Sequence, residues 1–273
     1  MNILEQIVFE KKQSLKRVQP YNFKEIEAII ATARCQSNLW VNLFNQKNEP
    51  VIIAEIKLRS PSRGSIISHE AVPYYLSEYQ RAGASALSVV TEEKYFKGNT
   101  TLLKKVIQNT YLPVLRKDFV INDTQIYQSA YFGVGALLII AKILSLSKIR
   151  KFINLCELLN IIPLVEIHDQ QDLEKAIEAG VNFIGINNRN LATLEVSLHT
   201  TESLLPGIPD HATVVCESGI RSREDLQRFM NMGINHFLIG ECLLFHSQPG
   251  EVLRELKGVR KSASSKNMWD NPS

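Results

Sequence analysis

Ionisable side chains recur at one kind of position in this sequence, at or just after the end of short apolar runs. Five of them are Glu55, Lys57, Lys117, Glu166 and Glu217. A charged group at the end of a buried segment costs free energy unless it is paired or functional. Where lysines and carboxylates meet, the carboxylates keep the lysines protonated, and such lysines serve as proton donors and anion binders. The pattern therefore indicates acid–base chemistry on a small anionic ligand.

Two further observations concern the position of these residues. Glu55 and Lys57 are two residues apart, so both side chains point to the same face if their run is a strand. Two further apolar runs end in Asn187, Asn188 and Arg189 and in Lys142. Any one of these residues could equally be a solvated loop start or a member of a structural ion pair. Agreement among six runs favours a shared site over that alternative.

A second pattern predicts the elements that position the ionisable residues. One junction occurs four times, in RAGASALSVV, YFGVGALLII, EAGVNFIGIN and NMGINHFLIG. Its glycine is typical of the residue just after a helix, where a left-handed conformation favours glycine, and a buried strand follows. The four glycines are Gly83, Gly133, Gly180 and Gly233. Four further β-rich runs alternate with these junctions, at 51–57, 113–118, 162–167 and 213–218.

The runs are continuously apolar, which is typical of parallel strands covered on both faces. Eight of them, each followed by helix-like sequence, predict an α/β fold, the (β/α)8 TIM barrel. An open doubly wound sheet is the alternative, but the turn after the first strand is EIKLRSPSRG and lacks the G-x-G-x-x-G pattern. In a barrel the carboxyl ends of the strands converge on the face that carries active sites. The ionisable residues are therefore expected to meet there.

The whole chain, residues 1–273, is predicted to form a single domain. Residues 1–48 are expected to be an N-terminal helical extension packed on the barrel, because apolar residues recur there at helical spacing. Residues 49–258 are expected to form the barrel. The polar segment 259–273 is expected to be a disordered tail.

Two loops are candidates for holding a phosphate group. ESGIRS and IGEC follow the predicted seventh and eighth strands and contain Ser218, Gly219, Gly240 and Glu241. Barrels often bind phosphate with backbone N–H groups after these two strands. A barrel needs glycine turns in any case, so the structural explanation stays open.

The loops after the first two strands supply further candidates. Ser60 lies in RSPSRG, which resembles a mobile lid, with Arg59 and Arg63 either as extra cations or as ordinary solvated charges. Phe96 lies in EEKYFKGN. It is expected either to contact a flat apolar ligand or to pack on the rim of the barrel.

Composition narrows the class of function. The 31 Lys and Arg and 28 Asp and Glu residues give a formal net charge of +3 without a basic block, which argues against nucleic-acid binding. Four scattered cysteines form no C-x-x-C pair and the six histidines show no metal-ligand spacing, so no metal is predicted. The N-terminus lacks the apolar region of a signal peptide and no apolar run is long enough to span a membrane, which predicts a cytoplasmic protein.

One histidine has two interpretations. His168 follows Glu166 by two residues and could face the same site at the carboxyl ends of the strands. A hydrogen-bonding role at the start of a helix, beside Asp169, is favoured over that alternative.

The motifs IAEIKLRSPSRG, TEEKYFKGN, PVLRKDFV, PLVEIHD, FIGINNRNLATLEV, VVCESGIRS and FLIGECLL occur in this order. In this combination the sequence resembles the indole-3-glycerol phosphate synthase family, from the N-terminal helices to about residue 257. Small departures from the family pattern fall at Leu58, Gly135, Asn190 and Cys216, and none is a position to which the resemblance assigns a catalytic role.

The resemblance implies the conversion of 1-(2-carboxyphenylamino)-1-deoxyribulose 5-phosphate into indole-3-glycerol phosphate, with loss of carbon dioxide and water and without a cofactor. It implies that Lys117 is the general acid and Glu166 the general base. Lys57 would hold the substrate carboxylate and donate a proton during dehydration. Glu55 and Glu217 would orient the lysines and stabilise a cationic ring intermediate.

The same resemblance implies binding roles. Asn187, counted with the catalytic set, and Arg189 would hold substrate hydroxyls and order the site, and Phe96 would lie against the anthranilate ring. The residues implied to frame the substrate and its phosphate are Ser60, Ser218, Gly219, Gly240 and Glu241.

Two other functions are weighed against this one. A phosphoribosyl aldose–ketose isomerase is also a phosphate-binding barrel, but such enzymes typically carry an aspartate general acid where this chain has Asn187. A catalytically silent binding barrel would not need the buried, opposed charges of Glu55, Lys57, Lys117 and Glu166. The expected partner is a small phosphorylated substrate, and the expected state is a monomer or weak dimer.

Overall fold

The structure is a computed structural model that describes residues 1–19, 21–32, 37–46 and 49–259. Within these residues eight parallel strands form a closed barrel, in which the first strand pairs with both the second and the eighth. The strands are β1 (Val51–Ile56), β2 (Ala86–Val90), β3 (Val114–Lys117), β4 (Ala136–Ile140), β5 (Ile162–Ile167), β6 (Phe183–Asn187), β7 (Thr213–Glu217) and β8 (His236–Ile239). The predicted TIM barrel is confirmed, and the open doubly wound sheet is excluded.

Helices follow the strands on the outside of the barrel. The three that precede β1 are α1 (Ile3–Leu15), α2 (Phe23–Thr32) and α3 (Ser37–Phe44). The others are α4 (Val72–Arg81), α5 (Thr100–Gln108), α6 (Asp123–Phe132), α7 (Leu146–Leu158), α8 (Gln170–Glu178), α9 (His199–Leu204), α10 (Arg223–Met230), α11 (Glu241–Leu244) and α12 (Pro249–Lys257). None of the described helices is long and apolar enough to cross a membrane.

Short polar residues precede several of these helices, and glycines follow several of them. The side chains of Asn99, Asn122, Asp169 and Ser222 accept backbone N–H groups of the first turns of α5, α6, α8 and α10. The predicted glycine junctions are confirmed, since the φ angles of Gly83, Gly133, Gly180 and Gly233 lie between 75° and 92°. A short antiparallel hairpin, Arg59–Ser60 with Gly64–Ser65, follows β1.

Strand alternation separates the barrel into an inner and an outer core. Inside the barrel, Ile53, Leu115, Leu164 and Val215 belong to one buried cluster. On four strands the residue two positions later on the same face is charged, namely Glu55, Lys117, Glu166 and Glu217. An apolar plug therefore fills the lower barrel and ionisable groups begin directly above it.

The N-terminal helices reach opposite ends of the barrel. Ile3, Leu4 and Ile7 of α1 line the cavity at the carboxyl ends of the strands. Phe44 of α3 stacks on Phe183 at the start of β6, with ring centroids 4.7 Å apart, and so closes the amino end. The polar tail predicted from residue 259 lies, from residue 260 onward, outside the described residues.

Candidate active site

One cavity lies at the carboxyl ends of the strands, and twelve of the thirteen predicted site residues line it. The exception is Glu217, which is fully buried beneath the cavity floor. The twelve are Glu55, Lys57, Ser60, Phe96, Lys117, Glu166, Asn187, Arg189, Ser218, Gly219, Gly240 and Glu241. The expectation that strand ends bring these residues together agrees with the observed geometry.

Lys117 lies at the centre of the charged residues. Its Nζ atom donates a hydrogen bond to Oε2 of Glu217 at 2.6 Å and lies 3.7 Å from carboxylate oxygens of both Glu55 and Glu166. Burial alone would lower the pKa of Lys117, but the charges of Glu217, Glu55 and Glu166 outweigh burial and raise it above the usual value. Lys117 therefore carries a proton at neutral pH.

Glu55 bridges the two lysines of the site. Lys57 donates a hydrogen bond to Oε1 of Glu55, two residues back on the same face, while Oε2 faces Lys117. Burial would raise the pKa of Glu55, but Lys57 and Lys117 outweigh it and lower that pKa. Glu55 is therefore an anion that fixes both ammonium groups.

Glu217 has a different environment from Glu55. Burial and the neighbouring Glu166 raise the pKa of Glu217 to about 7, against the opposing effect of Lys117. Its Oε1 atom has no hydrogen-bond partner among the described residues. A Cβ atom at Gly185 would overlap that oxygen, so only glycine at this position of β6 leaves space for the carboxylate.

Glu166 faces a histidine as well as Lys117. Nε2 of His168 lies 3.1 Å from Oε1 of Glu166, and the His168 ring is almost buried. His168 fits both of its interpretations: its backbone N–H donates to Asp172 in the first turn of α8, which Asp169 caps, and its ring contacts Glu166. The two-residue spacing of Glu166 and His168 across the end of β5 is the sequence signal for this placement of the ring.

A chain of polar contacts closes the opposite side of the cavity. Oδ1 of Asn187 accepts the backbone N–H of Arg189 at 3.0 Å. The guanidinium of Arg189 donates to Oε2 of Glu241 at 2.6 Å, and Nε of Arg63 donates to Oε1 of Glu241, also at 2.6 Å. Glu241 thus connects the loop after β6 to the lid predicted after β1, and these two arginines help to lower the pKa of Glu241 against the effect of burial.

The two glycine turns present backbone groups to the cavity. Ser218 and Gly219 both have positive φ angles, 65° and 87°. The side-chain amide of Asn188 donates to the carbonyl of Ser218 at 3.1 Å and holds this turn. No described residue accepts the backbone N–H of Gly219 or Gly240, so both donors are available to an anionic ligand.

An apolar wall faces the charged groups across the cavity. Phe96 and Phe119 line it, with ring centroids 6.3 Å apart. The carboxylate of Glu92 accepts the backbone N–H groups of Tyr95 and Phe96 at 2.7 and 2.9 Å and fixes that loop. Phe96 therefore packs on the rim, as one of its predicted alternatives states, and it also borders the cavity, while contact with a flat apolar ligand stays a prediction.

Sequence patterns did not single out a second buried ion pair beside the site. Nζ of Lys11, on α1, lies 2.7 Å from Oδ1 of Asp118, and Arg116 contacts the same carboxylate at 3.1 Å. Burial would raise the pKa of Asp118, but Lys11 and Arg116 lower it to about 2. Among the described residues, no group of three His, Cys, Asp or Glu side chains is arranged to hold a metal ion.

Comparison with known proteins agrees with this geometry. A family model described as indole-3-glycerol phosphate synthase matches residues 4–256. The indole-3-glycerol phosphate synthase of Acetivibrio thermocellus is 44% identical over 209 residues, which are 76% of this chain and 80% of the relative. That of Campylobacter hominis is 36% identical over 260 residues, which are 94% of this chain and 100% of the relative.

Among solved structures, thiamine phosphate pyrophosphorylase from Pyrococcus furiosus matches with a TM-score of 0.57. The match covers 79% of this chain and 97% of that protein at 11% sequence identity. At this level of identity the likeness shows the barrel fold alone.

Proposed function

The chain belongs to the indole-3-glycerol phosphate synthase family, and on this premise we propose roles for the residues of its cavity. Members of this family are decarboxylating lyases that form the indole ring in tryptophan biosynthesis. The observation that carries the proposal is the contact of Lys117 Nζ with the carboxylates of Glu55, Glu166 and Glu217. A protonated lysine in that environment can donate a proton, and a carboxylate held ionised beside it can accept one.

In the first step Lys117 acts as the general acid. The ring carbon that bears the substrate carboxylate attacks the ketose carbonyl carbon, a carbon–carbon bond forms, and the carbonyl oxygen takes the proton of Lys117 to become a hydroxyl. The ring becomes cationic as this bond forms. The carboxylate of Glu55, which lines the cavity, and that of Glu217, which lies beneath its floor, stabilise that charge electrostatically.

In the second step the carboxyl group leaves as carbon dioxide, and its bonding electrons return to the ring. Lys57 holds the carboxylate before it leaves, since its ammonium is fixed at the mouth by Glu55. Phe96 lies against the apolar face of the ring on the opposite wall of the cavity.

In the third step water is lost and the indole ring becomes aromatic. Lys57 protonates the departing hydroxyl, and Glu166 accepts the proton that the adjacent carbon releases. Burial would raise the pKa of Glu166, but His168 and Lys117 lower it to about 2, which favours an ionised base. Over the three steps the substrate gains one proton and loses one carbon dioxide and one water.

The phosphate group binds at the two glycine turns. The unused N–H groups of Gly219 and Gly240, with Ser218 and Ser60, surround the phosphate position. Asn187 and Arg189 orient the substrate hydroxyls, and Glu241 holds Arg189 in place. The family acts on a phosphorylated substrate, so such a subsite is required.

The finer statements about the molecule are part of the same proposal. The chain functions as a cytoplasmic monomer or weak dimer and has no nucleic-acid partner. It forms one domain, in which a helical extension of residues 1–48 packs on a barrel of residues 49–258. The balanced charge of +3 supports the absence of a nucleic-acid partner.

The test is an indole-fluorescence assay on addition of the substrate, with Lys117→Ala and a matched variant. Lys142 is the matched control because it also follows a barrel strand but pairs with Asp169 outside the cavity. We expect Lys117→Ala to lower kcat by at least about 100-fold, the scale of a positioned general acid, and Lys142→Ala to stay within a few-fold of wild type. Turnover by Lys117→Ala close to the wild-type rate would remove Lys117 from the mechanism.

A further inference from the structure

His168 is held between two buried carboxylates. Its Nε2 atom lies 3.1 Å from Oε1 of Glu166, and its Nδ1 atom lies 3.5 Å from Oδ2 of Asp172. Glu166 and Asp172 are each only 1% exposed. Neither ring nitrogen makes a hydrogen bond of ordinary geometry, so the two contacts are ion pairs in a region with little water.

Asp172 fixes the ring from the first turn of α8. Its Oδ2 atom also accepts the backbone N–H of His168 at 3.2 Å. Its Oδ1 atom lies 3.1 Å from Nζ of Lys175, and its own backbone N–H donates to Asp169 at 3.0 Å. The loop, the helix cap and Lys175 therefore all hold Asp172 in place. Among the described residues, the ion-pair partner of Nε2 is Glu166.

The balance of charge around Glu166 depends on this contact. On β3, Lys117 is 3.7 Å away and is shared with Glu55 and Glu217. On β7, Glu217 is a like charge that acts against the ionisation of Glu166. His168 is therefore nearer to Glu166 than Lys117 is. Unlike Lys117, it does not also pair with Glu55 and Glu217.

The electrostatics agree with a charged ring. Burial alone would lower the pKa of His168, but Asp172 and Glu166 outweigh it and raise the pKa to about 9. The ring is then an imidazolium at neutral pH, and it stabilises the anionic form of Glu166.

We propose that His168 is a positioning residue which, fixed by Asp172, orients Glu166 and keeps it ionised as the general base. This inference rests on the role proposed above for Glu166. It adds a part of the mechanism that lies outside the cavity lining and acts through Glu166 rather than on the substrate. Without it, Lys117 would be the one cation in contact with Glu166 among the described residues, and Lys117 also pairs with Glu217 and Glu55, so the anionic form of Glu166 would lose stabilisation.

The primary test is the pH dependence of kcat in His168→Asn. Removal of a cation raises the pKa of Glu166, so the acid limb of kcat should move to higher pH by about one unit or more. The plateau at high pH should stay within about ten-fold of wild type, and KM should change little, because no substrate contact is lost. A structural role alone would lower activity or stability without moving the limb. An acid limb at the wild-type pH would overturn the proposal.

The control is His199→Asn, because the imidazole of His199 is largely exposed and, within the part of the chain that the structure describes, its ion-pair partner is Glu202. It should leave the profile unchanged. A second measurement avoids any change at His168. In wild type the ring should titrate near pH 9 by NMR, and in Glu166→Gln its midpoint should fall by about one unit or more because the nearest anion is gone. An unchanged midpoint would also overturn the proposal.

The activities of Glu166→Gln and His168→Asn together distinguish an error in the role of His168 from an error in the role of Glu166. If Glu166→Gln is inactive while His168→Asn keeps the wild-type profile, Glu166 is the base and His168 does not position it. If Glu166→Gln turns over normally, the base assignment itself is wrong.

Discussion

Lys117, Glu166 and Glu217 form a small group whose proton affinities are set apart by their surroundings. Burial and like-charge repulsion raise the pKa of Glu217 to about 7, while His168 and Lys117 outweigh burial and lower that of Glu166 to about 2. When neighbouring carboxylates are separated in this way, the one with the lower pKa stays ionised across the neutral range, while the other stays hydrogen-bonded to the acid. At neutral pH a protonated acid, Lys117, and an ionised base, Glu166, can therefore lie in contact with each other.

Glu166→Gln tests the base assignment directly. Glutamine keeps the shape of the side chain but cannot accept the proton that is released as the indole ring becomes aromatic, so kcat should fall by about 100-fold or more at every pH while the substrate still binds. If Glu166 were only a counter-ion, loss of its charge would lower the pKa of Lys117 and weaken binding of the anionic substrate, mainly at high pH. Both kinetic constants measured across pH distinguish these outcomes.

The charged residues of the mouth could be predicted because each ends an apolar run, and that signal is local. The contacts of His168 could not be predicted in the same way, since its role depends on the position of Asp172 in the next helix. Gly185 was also missed. Its lack of a side chain matters only because Glu217, 32 residues later in the chain, occupies the space beside it.

At the scale of elements, the two glycine turns differ in what a side chain would meet. A Cβ atom at Gly240 would lie 2.5 Å from Oε1 of Glu55. A Cβ atom at Gly219 would meet side-chain carbons of Leu198 and Val196 at 2.8 and 2.9 Å, and the φ angle of 87° disfavours any other residue. The turn at Gly240 therefore contacts the catalytic carboxylate of Glu55, whereas the turn at Gly219 contacts apolar side chains of the loop that contains Val196 and Leu198.

This difference predicts distinct kinetics for two alanine variants. Gly240→Ala should lower kcat, because it displaces Glu55 and with it both lysines, and should also raise KM. Gly219→Ala should mainly raise KM and weaken protection by inorganic phosphate, with kcat within a few-fold of wild type. Phosphate protection unchanged in both variants would place the anion elsewhere in the cavity.

Helix α1 is tied to the strand that carries the general acid. Lys11 pairs with Asp118, the residue after Lys117, and the Lys11 side chain is only 10% exposed. Lys11→Met leaves a buried carboxylate with Arg116 as its remaining cation, which should cost about 1–3 kcal/mol and lower kcat/KM. Lys12→Met is the matched control, because Lys12 is exposed on the same helix and should change neither quantity.

The pKa of Asp118 predicts in which direction the destabilisation by Lys11→Met changes with pH. The folded-state pKa of Asp118, about 2, lies below its unfolded value, so its contribution is present at neutral pH and is lost as pH falls below about 4. In Lys11→Met part of that contribution is already lost at pH 7. The difference in unfolding free energy between variant and wild type should therefore shrink in acid, as denaturant titrations at several pH values would show. A constant difference would contradict the ion-pair explanation.

Element order was predictable where local signals repeat, as in the four glycine junctions before β2, β4, β6 and β8. The lid hairpin and the four-residue helix Glu241–Leu244 were not anticipated. Their conformation depends on contacts across the mouth, such as that between Arg63 and Glu241, which join residues far apart in the chain. Apolar periodicity carries no information about such pairs.

In the molecule as a whole, the residues that carry the proposed chemistry and those that close the hydrophobic core lie at opposite ends of the barrel. The carboxyl end is charged and partly open, while the amino end is closed by aromatic rings of α3. Trp40 is fully buried and lies 5.6 Å from Phe44, which contacts both Phe183 and His236. Between the two ends the apolar interior of the barrel, with Ile53 and Leu115, keeps water from the underside of the charged groups. Changes at the amino end should therefore affect folding rather than chemistry.

Phe44→Ala tests this separation. Phe44 is 6% exposed, and truncation of a buried phenylalanine typically costs about 3–5 kcal/mol, partly because a cavity remains. The midpoint of thermal unfolding should fall by roughly 6–20 °C, since about 1 kcal/mol corresponds to about 2–4 °C in a domain of this size. At 20 °C the folded fraction should keep kcat and KM within two-fold of wild type, because the altered ring lies at the opposite end from Lys117. Circular dichroism and the fluorescence assay on the same sample measure both quantities. A fall in kcat without a fall in the unfolding midpoint would mean that the amino end communicates with the mouth, and that stability and catalysis are not divided along the barrel axis.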